Sequence, residues 1–371
     1  MARTLMGHSD PEPSRRDFLA GRALRDEIVA VGQATGDALF GAEDEPRREP
    51  TSGATIRLAT AAMATDFAVI LNEALPDDPR QPLRWASEAL DVVHLLEDQL
   101  SVYRPNTELS QLNQVAASRP VQVEDRLFGL LCRARDISLE TEGGFDPTSG
   151  QLIALWRQCR KEVRLPTDAE LAERLKLLGM QHVEMADGCI AFSRPGVELN
   201  LGSIGKGYAL DRAAEILLEH ELTEWLIQGG HSSVIAQGGH NGLPGWPVGL
   251  RNPLLPQRRL GTILLRDQAL ATSGTAVQHF RFEGKRYGHI IDPRTGWPVE
   301  NMLSVTVLAP TAAEADALST AFFVGGVELA ERYCSNHRSV SALLIPPPTG
   351  GQRLKPVNLG ISPEQIFWND Q

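Results

Sequence analysis

Asp316 and Thr320 stand four residues apart in TAAEADALSTA. On a helix that spacing puts both side chains on one face. A carboxylate and a hydroxyl are hard oxygen ligands, and with a backbone carbonyl from another segment they would hold Mg²⁺ beside a pyrophosphate. Read alone, the pair is also what a solvated helix face looks like. A second segment, NLGSIGKGYALD, runs from Asn200 to Asp211. It is not a Walker A loop, because Gly207 follows Lys206, and it does not fit the GxGxxG dinucleotide fingerprint. Its glycines, Gly202, Gly205 and Gly207, would still let the backbone approach a ligand. Amides at the start of the following helix can face an anion, and Lys206 could complement a phosphate. A structural turn before a helix explains it equally well. In GHIIDPRTG, His289 and Asp292 lie three apart ahead of a proline turn; in isolation such a histidine is more often structural than catalytic. GGFDPTSG, from Gly143 to Gly150, is either a tight helix stop or a place where backbone meets a ligand. GGHSS sets His231 and Ser232 after a glycine turn, but it does not match the GxSxG elbow of a serine hydrolase.

These residues need elements to hold them. Leu90, Val93, Leu96 and Leu100 recur at three and four and predict a helix with one apolar face, on which His94 is a surface or packing residue. Further helices are expected over Glu124–Glu140, over Thr167–Leu178 and from about Gly207. A fourth, with Thr311 as its N-cap, should carry Asp316 and Thr320. Phe67–Leu71 and LSVTVLAP read as strands, EWLIQGGHSSVIAQGG as strand, turn and strand, and GCIAFSRPGVELN as two short strands. LGTILLRDQALATSG reads as a strand and turn, and the end of the chain as a hairpin. The order mixes helix and strand without βαβ repetition, so an α+β fold is expected.

The chain has 371 residues and a formal net charge of -11, enough for a sizeable core and unsuited to general attraction to nucleic acid. Cys132, Cys159, Cys189 and Cys334 form no CxxC pair, and each is expected to be a buried thiol. No apolar run is long enough for a transmembrane helix. Residues 1–54 read as a tail ending in a charged, turn-rich linker from Gly41 to Ala54. Within it, SRRDFLAGRAL looks like a degenerate twin-arginine signal. Arg22, Arg25, Asp26 and Glu27 interrupt the apolar stretch such a signal needs, so a cytoplasmic product is expected, with periplasmic export as the alternative.

Taken in order, MATDF, LSVYRPNTELSQLN, TEGGFDPTSGQLIALW, ELNLGSIGKGYALD, LIQGGHSS, ATSG, HIIDPRTG and EADALSTAFFVGG make a specific set. The chain resembles the ApbE family of FAD:protein FMN transferases from about Met63 to Gly326. The resemblance implies an ApbE-like, T-fold-like body over 55–371 with a flavin cleft between lobes. It implies Met63 and Tyr103 near the flavin, and Gly144, Phe145, Asp146, Asn200, Lys206 and Ile290 at the cofactor. It implies Ser203, through its backbone oxygen, with Asp316 and Thr320 as Mg²⁺ ligands. His289 is then the first candidate for a base and Asp316 the second. The implied reaction moves FMN from FAD to a threonine of a target flavoprotein and releases AMP. A monomer is expected, with a dimer as the alternative.

Three positions depart from the family pattern. MGTTF becomes Met63, Ala64, Thr65, Asp66 and Phe67; GGIxKG becomes Gly202 to Gly207; and Gly288 stands where a second histidine is common. The alternative function is therefore FAD binding, or FAD hydrolysis to FMN and AMP, without transfer to protein. An interaction module is a third reading, which the glycine-rich segments disfavour.

Overall fold

The computed structural model describes residues 55–73, 80–275, 279–348 and 353–369. The tail, its twin-arginine-like stretch and the linker lie outside the described residues. The described part opens on a hairpin. β1 (Thr55–Ala62) and β2 (Thr65–Asn72) pair antiparallel, with Ala62 opposite Thr65. Met63 and Ala64 are left as a two-residue loop with φ of 51° and 59°. Positive φ at both positions is the type I′ geometry, whose twist suits a hairpin and which favours glycine. Ala64 holds this conformation at a cost of about 1 kcal/mol. Ala64→Gly is expected to stabilise the protein by about that amount, read as a higher urea midpoint. An unchanged or lower midpoint would show that the turn is not strained.

α1 (Arg80–Leu100) buries Ala86, Leu90, Val93, Leu96 and Leu100, the expected stripe, and His94 binds the Thr60 hydroxyl at 2.7 Å. α2 (Glu108–Val115) starts at the Thr107 cap and precedes β3 (Val121–Gln122). α3 (Asp125–Glu140) is followed by α4 (Gly150–Glu162). α5 (Asp168–Leu175) opens on a Thr167–Glu170 capping box and stops short of the expected Leu178. β4 (Val183–Ala186) and β5 (Cys189–Phe192) join β3 in a small sheet. Of the two strands expected in GCIAFSRPGVELN only β5 forms; Glu198 makes an isolated bridge to Ser149.

α6 (Gly205–Glu219) leads to β6 (Trp225–Gly229) and β7 (Ser233–Gln237), then β8 (Trp246–Arg251), β9 (Arg259–Leu265) and β10 (Gln268–Gly274). β11 (His279–Phe282) and β12 (Lys285–Gly288) form a separate hairpin. β13 (Ser304–Ala309), α7 (Ala312–Asn336), β14 (Ser341–Ile345), β15 (Val357–Leu359) and β16 (Ile366–Trp368) follow. The segment read as one strand and turn contains two strands that part company, β9 into a small sheet and β10 into the large one.

The large sheet runs β1-β2-β6-β7-β10-β13-β14-β15, with every neighbouring pair antiparallel. Its period of two sends alternate residues to two cores. Phe67, Val69, Ile227, Val305 and Val307 face the helical core, which includes residues of α1, α6 and α7. Ile70, Leu226, Leu270, Leu308 and Leu343 face the other way, toward Trp246, Val248 and Ile263 of the small β16-β9-β8 sheet. Burial on both faces explains why these strands read as continuous apolar runs. The fold is α+β, as expected. Cys159 is buried, whereas Cys132, Cys189 and Cys334 are only half-buried, so the expectation of a buried thiol holds for one of the four. No helix among the described residues is long and apolar enough to cross a membrane.

Candidate active site

Asp316 is the centre of the site. The Thr311 side chain caps α7, and the next helical turn carries Asp316 inward, where it is 5% exposed. Its Oδ1 accepts from the Ser233 hydroxyl at 2.6 Å. Its Oδ2 accepts from the Gly207 amide at 2.8 Å and pairs with Lys206 Nζ at 3.2 Å. One carboxylate therefore ties together β7, the start of α6 and α7. One turn further on, the Thr320 hydroxyl contacts the Asp316 carbonyl at 3.3 Å and Ser273 Oγ at 3.4 Å. An ionised carboxylate offers about four acceptor sites, so three occupied ones leave Asp316 room for a further partner. Among the described residues no cluster of three or more His, Cys, Asp or Glu could hold a metal. Mg²⁺ is commonly held by one or two carboxylates and completed by waters and phosphate oxygens. Asp316, the Thr320 hydroxyl and the backbone oxygen of Ser203 supply donors of the kind it takes.

The glycine segments owe their composition to packing as well as to the cavity. A Cβ on Gly207 would lie 2.0 Å from the Ala312 carbonyl oxygen, so α6 meets the first turn of α7 backbone to backbone. Asp211, one turn along α6, accepts from the Ala312 and Ala313 amides at 2.7 and 2.9 Å. Burial pushes Asp211 up to about 7, against the pull of those two amides. In GGFDPTSG, Gly143 has φ of 74° and its amide reaches back to the Ser138 carbonyl, so it ends α3 as the bland reading held. Gly144 lines the cavity, and its Cα faces the carbonyls of Ala321 and Thr141, where a Cβ would sit 3.1 Å from each. Asp146 Oδ1 accepts from the Thr148 amide at 2.8 Å and hydroxyl at 2.6 Å. Burial raises its carboxyl above the usual range, and these donors lower it again in part. Asn200 Oδ1 takes the Gly202 amide at 2.9 Å and so holds the bend that presents Ser203. Phe145 is 1% exposed and belongs to the helical core while bordering the cavity.

HIIDPRTG is a loop built by Asp292. Its carboxylate takes the Arg294 amide at 2.9 Å and a two-pronged pair from the Arg294 guanidinium, each arm at 2.9 Å. The Gly296 amide reaches the Asp292 carbonyl at 2.8 Å, and Trp156 Nε1 holds the Gly296 carbonyl at 2.8 Å. This clamp fixes Ile290, which is buried, and leaves His289 exposed on the cavity wall. Asp292 is thus a turn builder rather than an acid facing the cavity.

All these parts border one cavity of about 1300 Å³. Each site residue that the family resemblance implied lines it: Met63 at the β1–β2 turn, Tyr103, Gly144, Phe145 and Asp146 before α4, Asn200, Ser203 and Lys206 at α6, His289 and Ile290 after β12, and Asp316 and Thr320 on α7; Gly205, Gly207 and Asp292 do not. Tyr103 is 66% exposed, with the Arg157 guanidinium 4.2 Å from its ring centroid. Sequence reasoning missed Ser233, Asp211 and Arg157. Ser233 follows the GGHS turn, where the motif was read only for a nucleophile. Asp211 closes the glycine segment, and Arg157 has no local signature.

A model of the ApbE family matches residues 63–344. The chain belongs to the ApbE family. It is 31% identical to an FAD:protein FMN transferase of Klebsiella pneumoniae (strain 342), over 70% of this chain and 81% of that protein. It is 34% identical to one of Vibrio cholerae, over 64% of this chain and 73% of that protein. Among solved structures, the Vibrio cholerae flavin transferase ApbE superposes with a TM-score of 0.72 at 28% identity, covering 82% of this chain and 97% of that one. The ApbE protein from Thermotoga maritima gives 0.71 at 29% identity, covering 81% and 96%. Within this ApbE chain the Gly288 departure is not forced by crowding. Among the described residues a Cβ there would meet nothing closer than Thr275 Cγ2 at 3.7 Å, an ordinary contact.

Proposed function

We infer that the chain is an FAD:protein FMN transferase that joins FMN to a threonine hydroxyl of a target flavoprotein and releases AMP. The observation that carries this is the Asp316 hub, a buried carboxylate with an adjacent lysine and hydroxyl, opening on a large cavity in an ApbE-family chain. A cavity of about 1300 Å³ exceeds the range of about 300–1,000 Å³ usual for one small ligand, which suits a dinucleotide with part of a protein acceptor. Asp316, Thr320 and the Ser203 carbonyl would hold Mg²⁺. Bound there, the ion polarises phosphoryl oxygens and offsets charge on the departing phosphate.

The other steps fall to the chain itself. Lys206, which lines the cavity beside Asp316, stabilises the pyrophosphate. The threonine oxygen bonds to the phosphorus on the FMN side, and the bond to the AMP phosphate breaks with its electron pair leaving on AMP. His289, exposed to the cavity on a clamped loop, takes the hydroxyl proton. A metal-held Asp316 is the weaker base, because a cation keeps it anionic. His289→Ala is expected to lower turnover by about 10²–10⁴-fold while FAD affinity stays near wild type. A large loss of affinity with turnover intact at saturating FAD would remove it from that role.

The deciding experiment is mass spectrometry of threonine-bearing flavoprotein targets after incubation with the chain, FAD and Mg²⁺. An added FMN on threonine, abolished by EDTA, supports transfer. FMN and AMP formed with no labelled target would favour hydrolysis.

A further inference from the structure

We propose that the arch between β8 and β9, together with the exposed arginines of α4, is the docking rim for the acceptor and selects an acidic protein surface. This rests on the transferase reading and names the kind of partner it uses. The arch is a closed, ordered turn. The Asn252 amide reaches the Arg258 carbonyl at 2.9 Å, and the Arg258 amide reaches the Leu255 carbonyl at 2.8 Å. Asn252 Oδ1 accepts from the Leu254 and Leu255 amides at 2.9 and 3.1 Å. The result holds Leu254 and Leu255 out at 50% and 51% exposure, while Pro253, Pro256 and Arg258 line the cavity. Two leucines displayed on a rigid turn at a cavity mouth suit a protein contact better than a small ligand.

Charge gives that contact its sign. The chain carries a net charge of -11, yet its cavity is lined by Arg157, Arg160, Arg251, Arg258, Arg259 and Lys206. The acidic residues lining it are Asp146 and Asp316, both buried, and Asp316 is already paired with Lys206. Arg160, Arg251 and Arg258 are exposed and make no ion pair within the described residues. FAD brings one negative charge per phosphate, and Mg²⁺ at Asp316 would offset those. The arginines therefore remain as a local positive field on an acidic protein, which draws in and orients a complementary surface.

The test uses the full chain with FAD and Mg²⁺, and two fluorescein-labelled peptides of equal length. Each has one threonine, flanked by aspartates in one and by lysines in the other. By anisotropy at low salt the aspartate peptide should bind about tenfold or more tighter, with the preference shrinking as salt rises. The variant Arg251→Glu/Arg258→Glu alters exposed side chains only. It should lose that preference and keep wild-type FAD affinity and thermal midpoint. Equal binding of the two peptides, or a preference that survives in the variant, overturns the proposal. So does a matching loss of FAD affinity, which would assign these arginines to the dinucleotide. Selective binding without FMN transfer would support the rim and count against the transferase reading instead.

Discussion

Asp316→Asn is expected to lower AMP release from FAD by about 10³-fold at saturating FAD while leaving the protein folded. The amide oxygen can still accept from the Gly207 amide, which now meets Oδ2 at 2.8 Å, while the new amide nitrogen takes the place of Oδ1 and donates to the Ser233 hydroxyl, which turns from donor to acceptor. The substitution removes the negative charge, and with it the partner of Lys206 and the anionic donor of the proposed Mg²⁺ site. Titrating MgCl₂ against the initial rate separates the two losses. A rate restored at high Mg²⁺ places the effect on metal affinity, and a rate that stays low places it on the chemical step. Wild-type activity that is equal with and without EDTA would sink the metal assignment itself. Asp316→Ala is the harsher variant, because it also strands the buried Gly207 amide and Ser233 hydroxyl without their acceptor.

The second large effect belongs to a residue with no side chain. Gly207→Ala is expected to destabilise the protein by about 3 kcal/mol, read as a lower urea midpoint with an unchanged slope. Its Cβ would lie 2.0 Å from the Ala312 carbonyl oxygen and 2.6 Å from the Ala313 amide, and both are backbone that cannot rotate away. α6 and α7 must separate, which stretches the Asp211 contacts to Ala312 and Ala313 and the Gly207 amide contact to Asp316. Gly205→Ala, two residues earlier, is the control. Its Cβ would meet only Leu100 and Leu201 side chains at 3.9 Å, so it should be neutral or slightly stabilising. If both variants unfold at the same urea concentration, the backbone contact does not hold the two helices together.

Much of this was legible locally. The stripe on α1, the Thr311 cap and the four-residue step from Asp316 to Thr320 are set by helical periodicity and capping, which neighbouring residues encode. The strand read at Phe67–Leu71 lies within β2, whereas β1 and the Met63–Ala64 turn that joins it were not read from the sequence. The ordered motifs also pointed to the ApbE family, since a set of spaced segments carries more than any one of them.

Tertiary structure decided what those residues meet. Lys206 and Asp316 are 110 positions apart, and Ser233 and Asp316 are 83 apart; no local pattern ties them. Gly207 looked like a ligand-approach glycine and is instead a helix-contact glycine, because what its missing Cβ would strike lies on another helix. Asp292, noted in the sequence only for its spacing from His289, folds its own loop. LGTILLRDQALATSG gave no sign that β9 and β10 enter different sheets, since strand partners are chosen by distant chain. The sequence by itself thus determined the main helices, several strands and which residues could do chemistry. The tertiary structure alone decided the neighbours, because contacts between distant segments depend on strand order and helix packing, which short-range spacing does not record.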